Sequence, residues 1–154
     1  MSSDFKDLFA TFNAHGVEFL VVGAHALAAH GHVRATNDLD VWVRPEPGNA
    51  AKVIEALRNF GAPLHDLSEQ DLSVPGIIFQ IGVPPLRIDI LTSIDAVEFS
   101  KAWKNRLQTK FHGEPVSVLS KEDLISNKSA TGRTQDLADV ERLRPEMKKN
   151  SRGS

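Results

Sequence analysis

With 154 residues, 41% of them hydrophobic, the chain holds enough apolar material for one domain with its own core, whereas two domains would each be unusually small. Lys and Arg total 18 against 20 Asp and Glu, and the formal net charge of -2 excludes any general electrostatic attraction to nucleic acid or an anionic membrane. The absence of cysteine rules out disulfides, thiolate zinc sites and a cysteine nucleophile, and fits a reducing cytoplasm. The first residues lack the apolar stretch of a signal peptide, and no run approaches the roughly 18 apolar residues of a membrane span. A soluble cytoplasmic protein with no membrane partner is expected.

Asp4 precedes Phe5, Leu8, Phe9 and Phe12 at helical spacing, and His15-Gly16 supplies the stop. Residues 17–22 form a short apolar run rich in branched side chains, the pattern of a strand buried on both faces; Gly23 ends it. The Ala- and Leu-rich stretch 24–30 predicts a short helix closed by Gly31. Over 39–44, Leu39, Val41 and Val43 alternate with Asp40 and Trp42, the period of a strand, which Pro45 and Pro47 terminate. Val53, Ile54, Leu57 and Phe60 predict an amphipathic helix over 50–60, capped by Gly61.

Residues 61–75 read as a polar loop. Strands at 76–81 and 86–91 flank Gly82-Val83-Pro84-Pro85 as one hairpin, and 107–111 with 115–119 flank His112-Gly113-Glu114 as a second. Ser120 and Asp123 resemble a capping box opening a helix over 121–130, and another helix is expected after Thr134. The expected organisation is one mixed α/β (α+β) domain over 1–147, with a core over about 17–119 and C-terminal helices over about 121–147, before a polar, disordered tail at 148–154. The two hairpins call for a mixed sheet.

Three carboxylates stand out. Asp38 and Asp40, two apart at the head of a strand, leave the same face with Cα atoms roughly 7 Å apart. Asp89 opposes the apolar stripe of Leu86, Ile88 and Ile90, so the three converge if their strands are neighbours. Such a cluster suits magnesium or manganese, hard cations that share oxygen ligands between carboxylates and substrate phosphates in phosphoryl and nucleotidyl transfer. One Asp-x-Asp is expected by chance in a chain so rich in aspartate, and solvated strand ends also collect them. His25, His30 and His32, at offsets of five and two, do not stack on one helical face and argue against zinc. Trp42 and Trp103 are candidates for stacking on a base, although Trp42 shares the strand face of Asp40 and can serve simply as a wall.

The string from Phe19 to Val41, with Gly23-Ala24-His25 after the first strand and Arg34-Ala35-Thr36-Asn37-Asp38-Leu39-Asp40 entering the next, resembles the signature of nucleotidyltransferases of the DNA polymerase beta superfamily. Asp89 matches the third acidic position of that family. The segment from Asn127 to Asp139 resembles the small uncharacterised and toxin–antitoxin-associated members, including the abortive-infection type, and the likeness spans about 17–143.

The resemblance implies a nucleotidyltransferase fold and a nucleoside triphosphate substrate, ATP among the candidates. It implies catalytic and metal-binding roles for Asp38, Asp40 and Asp89, with the phosphates resting on the small-residue turn at Gly23 and Ala24. His25 stands where a serine is frequent and can donate a hydrogen bond in its place. Lys128 matches a position that reaches phosphates in the family, and its alternative is an exposed structural lysine. Arg34 and Thr36 either bind phosphate or acceptor, or pin their loop to the core. Arg133, Asp136 and Asp139 are read as ion pairs docking the final helix.

Two functions compete. One is metal-dependent transfer of a nucleoside monophosphate to a hydroxyl of a protein, RNA or small molecule, within a toxin–antitoxin system. The other is a catalytically inactive module of the same fold that binds a partner toxin or antitoxin. Nucleic-acid binding without catalysis has the least support, because no basic excess or interleaved aromatic-basic surface is evident.

Overall fold

The computed structural model describes residues 3–33, 36–82 and 86–153, with the side chains of Ser3 and of residues beyond Arg144 outside the description. In chain order the elements are α1 (Ser3–Ala14), β1 (Phe19–Val22), α2 (Gly23–Ala29), β2 (Asp38–Val43), α3 (Pro47–Phe60), a 3-10 turn (Asp71–Ser73), β3 (Ile78–Ile81), β4 (Arg87–Leu91), α4 (Phe99–Lys104), β5 (Leu107–Phe111), β6 (Glu114–Val118), α5 (Lys121–Thr131) and α6 (Thr134–Gly153). Among the described residues, six strands form one sheet in the order β3-β4-β2-β1-β6-β5. It is a mixed sheet: β1–β2, β3–β4 and β5–β6 pair antiparallel, and β1–β6 and β2–β4 pair parallel. This is the mixed α/β arrangement that the two hairpins require.

The alternation in β2 and β4 decides what lies on each side of the sheet. Leu39 pairs with Ile88 and Val41 with Ile90, giving an apolar face, while Asp38, Asp40 and Trp42 pair with Arg87, Asp89 and Leu91 on the other. Helix α1 covers the apolar face: Phe9 stacks on Phe19 at 5.8 Å between ring centroids, and Phe12 meets the same ring edge-on at 5.4 Å. Phe5, Leu8, Phe9 and Phe12, the residues with helical spacing, are all buried. β1 lies between β2 and β6 and is buried throughout, as its unbroken apolar run demands.

The ends of the elements follow local chemistry. Pro47 opens α3 and Gly61 closes it with φ +93°, a left-handed conformation that costs glycine little. The side chain of Asn49 accepts from the Glu18 amide at 2.8 Å and donates to the carbonyls of Glu18 and Arg44 at 3.0 and 3.1 Å, tying α3 to the outer end of the β1–β2 pair. Ser120 caps α5 by accepting from the Asp123 amide at 3.2 Å, as its spacing predicts. His112 and Gly113 both have positive φ, the requirement of a two-residue type I′ turn, so β6 begins at Glu114 rather than at 115.

Helix α4 falls where no element is expected. It has six residues and no side-chain cap, and it buries Phe99 and Ala102. Helix α6 is assigned through Gly153; the expected tail at 148–154 has its side chains outside the described residues, as has the whole of Ser154. No described helix is long and apolar enough to cross a membrane.

Candidate active site

Parallel pairing of β2 with β4 sets Asp40 directly opposite Asp89, and Asp38 lies two residues earlier on the same face. Side chains paired in this way leave adjacent strands about 5 Å apart, so the three carboxylates line one cavity. Its volume is about 480 Å³, and Gly23, Ala24, Thr36, Arg87, Lys128, Arg133, Gln135 and Asp136 complete the wall.

Gly23 is required twice over. Its φ of +70° turns the chain from β1 into α2, and a Cβ added there would run into Asp40 Oδ2. The sequence thus opens the floor of the cavity by omitting a side chain where the carboxylate stands. Thr36 Oγ1 accepts from the Asp38 amide at 3.2 Å and lies 3.4 Å from the Asp38 carbonyl, fixing the entry to β2.

Burial pushes the Asp40 carboxyl up to about 6; the neighbouring charges of Asp89 and Asp38 act in the same direction, and the Arg87 guanidinium opposes them. Asp89 is 8% exposed, and its Oδ1 is buried without a well-directed hydrogen bond. Among the described residues, no group of three or more histidine, aspartate or glutamate side chains is arranged so that it could hold a metal ion. The donor chemistry nevertheless fits a divalent cation, since three carboxylate groups share a cavity in which their own repulsion is only partly relieved.

Other sequence candidates lie elsewhere or are already engaged. His25 does not line this cavity. It packs edge-on against Phe5 at 5.5 Å and Phe111 at 6.3 Å, beside Val21 and Leu39 on the apolar side of the sheet, and burial lowers its pKa. Trp42 shares the carboxylate face but is buried against Phe99 at 5.0 Å, away from the cavity. Arg34 lies outside the described residues.

Lys128 reaches the cavity wall and is buried, not exposed. Its Nζ sits 3.1 Å from Asp136 Oδ1 and 3.2 Å from Asp139 Oδ2, joining α5 to α6. Burial works against the charged form of Asp136, yet hydrogen bonds from Thr131, Lys128 and Arg133 outweigh it and hold its carboxyl below the ordinary value. Of the residues expected to pair at the final helix, Arg133 meets Asp136, and the pairs that join α5 to α6 are made by Lys128, a residue expected to bind phosphate.

Arg87 is not among the sequence candidates; its position two residues before Asp89 puts it on the same strand face, but its link to Asp38 depends on the β2–β4 register. Gln135 carries no sequence signal of its own and enters the cavity only because α6 begins beside it.

Comparison with solved structures places the fold among nucleotidyltransferases. A candidate nucleotidyltransferase from Thermotoga maritima superposes with a TM-score of 0.57 at 14% identity, covering 94% of this chain and 91% of that one. Lincosamide antibiotic adenylyltransferase LnuA in its lincomycin-bound form gives 0.60 at 14% identity, over 94% and 96% of the two chains. The antibiotic-resistance factor ANT(2'')-Ia gives 0.58 at 14% identity, over 98% and 92%. No curated protein matches the chain in sequence. The model of the family described as nucleotidyltransferase of unknown function (DUF6036) matches residues 4–144, nearly the whole chain with its three carboxylates, and this chain belongs to that family.

Proposed function

We propose that the protein is a metal-dependent nucleotidyltransferase that moves a nucleoside monophosphate from a nucleoside triphosphate to a hydroxyl acceptor. The observation that carries this reading is the cross-strand register of Asp40 with Asp89, with Asp38 beside them in one cavity. Asp38 and Asp40 would hold magnesium or manganese, with Asp89 as a further ligand on the acceptor side. When bound, the cation supplies neutralisation of charge on the triphosphate and a lowered pKa for the acceptor hydroxyl.

The residues of the chain do the positioning. Gly23 makes room for the Asp40 carboxylate, the turn at Gly23 and Ala24 lines the cavity where a phosphate would meet the main chain, and Thr36 holds the Asp38 backbone steady. The acceptor oxygen forms a bond to the α-phosphorus as the bond to the β-phosphate oxygen breaks, and pyrophosphate leaves. Asp89, buried beside Asp40, would favour loss of the acceptor hydroxyl proton as a ligand of the acceptor-side cation.

The lincosamide adenylyltransferase of similar fold favours ATP as the first triphosphate to test. Protein, RNA and small molecules remain the acceptor classes, and the toxin–antitoxin setting in the cytoplasm belongs to the same proposal through the resemblance of the segment 127–139. Calorimetric titration of the wild type and Asp40→Asn with each of the four ribonucleoside triphosphates, with and without magnesium, tests the reading. Metal-dependent binding lost in the variant is expected. Equal binding by Asp40→Asn, or no binding of any triphosphate, would remove it in favour of a partner-binding module.

A further inference from the structure

The carboxylate face carries a cation of its own. Arg87 opens β4 in register with Asp38 and two residues before Asp89 on the same face. Its Nη2 lies 3.4 Å from Asp38 Oδ2, its Nε lies 3.2 Å from Asp89 Oδ1, and Nη2 donates to Asp89 Oδ2 at 3.4 Å. One guanidinium therefore spans two of the three carboxylates.

The grip is loose. Charge-assisted bonds between a guanidinium and a carboxylate settle at about 2.7–2.9 Å, and this chain makes such bonds elsewhere: Arg133 Nε to Asp136 Oδ2 at 2.7 Å and Arg44 Nε to Glu18 Oε1 at 2.9 Å. At the carboxylate site all three contacts are longer, and neither Arg87 Nε nor Asp89 Oδ1 finds a well-directed partner although both atoms are buried. The Arg87 side chain is 35% exposed, so it has room to leave. Of the other cations on the cavity wall, Lys128 is itself buried between two buried aspartates, and Arg133, although 76% exposed, makes a 2.7 Å bond to Asp136.

We propose that Arg87 is an internal counter-ion that keeps this site closed to divalent cations until a triphosphate draws its guanidinium away. The inference rests on the metal-dependent reading above and adds its regulation. A guanidinium and a dication compete for the same carboxylate oxygens, and the planar fork that spans Asp38 and Asp89 is also suited to two phosphate oxygens. Once Arg87 has moved onto the phosphates, the carboxylates are left without their counter-charge and take up the metal. Nucleotide and metal then raise each other's affinity by one common factor.

The test measures Mn2+ binding to the full chain by electron paramagnetic resonance without nucleotide, and binding of a non-hydrolysable ATP analogue by calorimetry in chelator. Arg87→Gln should bind Mn2+ about tenfold more tightly than the wild type and the metal-free analogue about tenfold more weakly. A purely structural role for Arg87 would weaken both. Arg87→Lys, which keeps the charge but loses the fork, should shift Mn2+ binding in the same direction by a smaller factor, and it covers a Gln variant that does not fold. Unchanged or weaker Mn2+ binding by both Arg87 variants, with binding by the wild type abolished by Asp40→Asn, would overturn the counter-ion role and leave the function standing. Failure of every variant and the wild type to bind Mn2+, even with the analogue present, would overturn both.

Discussion

Lys128 supports the sharpest test of structure against chemistry, because its ammonium is both a wall of the cavity and the centre of a buried ion-pair cluster. Replacing it by Met keeps most of the aliphatic stem and removes the charge, leaving Asp136 and Asp139, 4% and 1% exposed, without their shared cation. Breaking a buried pair on one side costs about 3–5 kcal/mol. Thr131 and Arg133 still donate to Asp136 at 2.6 and 2.7 Å, which sets the expected loss at the lower end, about 3 kcal/mol. For a chain of this size that corresponds to a fall in Tm of about 6–12 °C. The pH dependence carries the sign. In the wild type the depressed Asp136 pKa contributes stability that is present above the unfolded carboxylate value and is lost as pH falls through the folded value. In Lys128→Met the Asp136 carboxylate keeps Thr131 and Arg133 but loses the ammonium, so its affinity for protons rises and the gap between the two proteins should narrow as the solution is acidified. Urea melts of both proteins from pH 8 to pH 4 measure it. A loss below about 1 kcal/mol that does not vary with pH would show that Lys128 is not the pin between α5 and α6 and would return it to phosphate binding.

Three further outcomes are expected. Gly23→Ala should lose about 1–2 kcal/mol in denaturant melts from its left-handed backbone alone, and lose triphosphate binding as well because the new Cβ displaces the Asp40 carboxylate; retained binding would remove the turn from the site. Asp40→Asn should melt above the wild type in chelator at pH 8, since a carboxyl raised to about 6 disfavours the folded state once ionised, and the difference should shrink as pH falls from about 6 towards 3.8. Asn49→Ala should cost about 1–3 kcal/mol by stranding the Glu18 amide, while the Glu18 and Arg44 carbonyls keep the Arg44 and Glu46 amides as donors, with triphosphate affinity unchanged because the residue does not line the carboxylate cavity.

The sequence was readable where one element's own pattern settles the outcome. Alternation in β2 and β4 gave both the strands and the direction of each carboxylate, and the spacing of Phe5, Leu8, Phe9 and Phe12 gave the buried face of α1. Helix α4 was missed because six residues make fewer than two turns, so Phe99, Ala102 and Trp103 are too few to establish a period. The surroundings of His25 and Lys128 were not legible for a different reason: each is set by another element. His25 turns towards Phe5 of α1 and Phe111 of β5, and Lys128 is buried by aspartates of α6, eight and eleven residues further along the chain. Neither partner is visible in the local pattern.

The register of β4 against β2 links the core to the site more tightly than any single side chain. Shifting β4 by one residue would bring Ile88 and Ile90 to the carboxylate face and carry Arg87 and Asp89 into the layer under α1. Burying those charges against Leu39 and Val41, both fully buried, would be far more costly than any hydrogen bond the slip could recover. The alternation that packs the apolar face therefore also holds Asp89 opposite Asp40. It does so although burial and mutual repulsion resist the ionised trio, so the carboxylates are kept together by apolar packing on the reverse side of the same two strands.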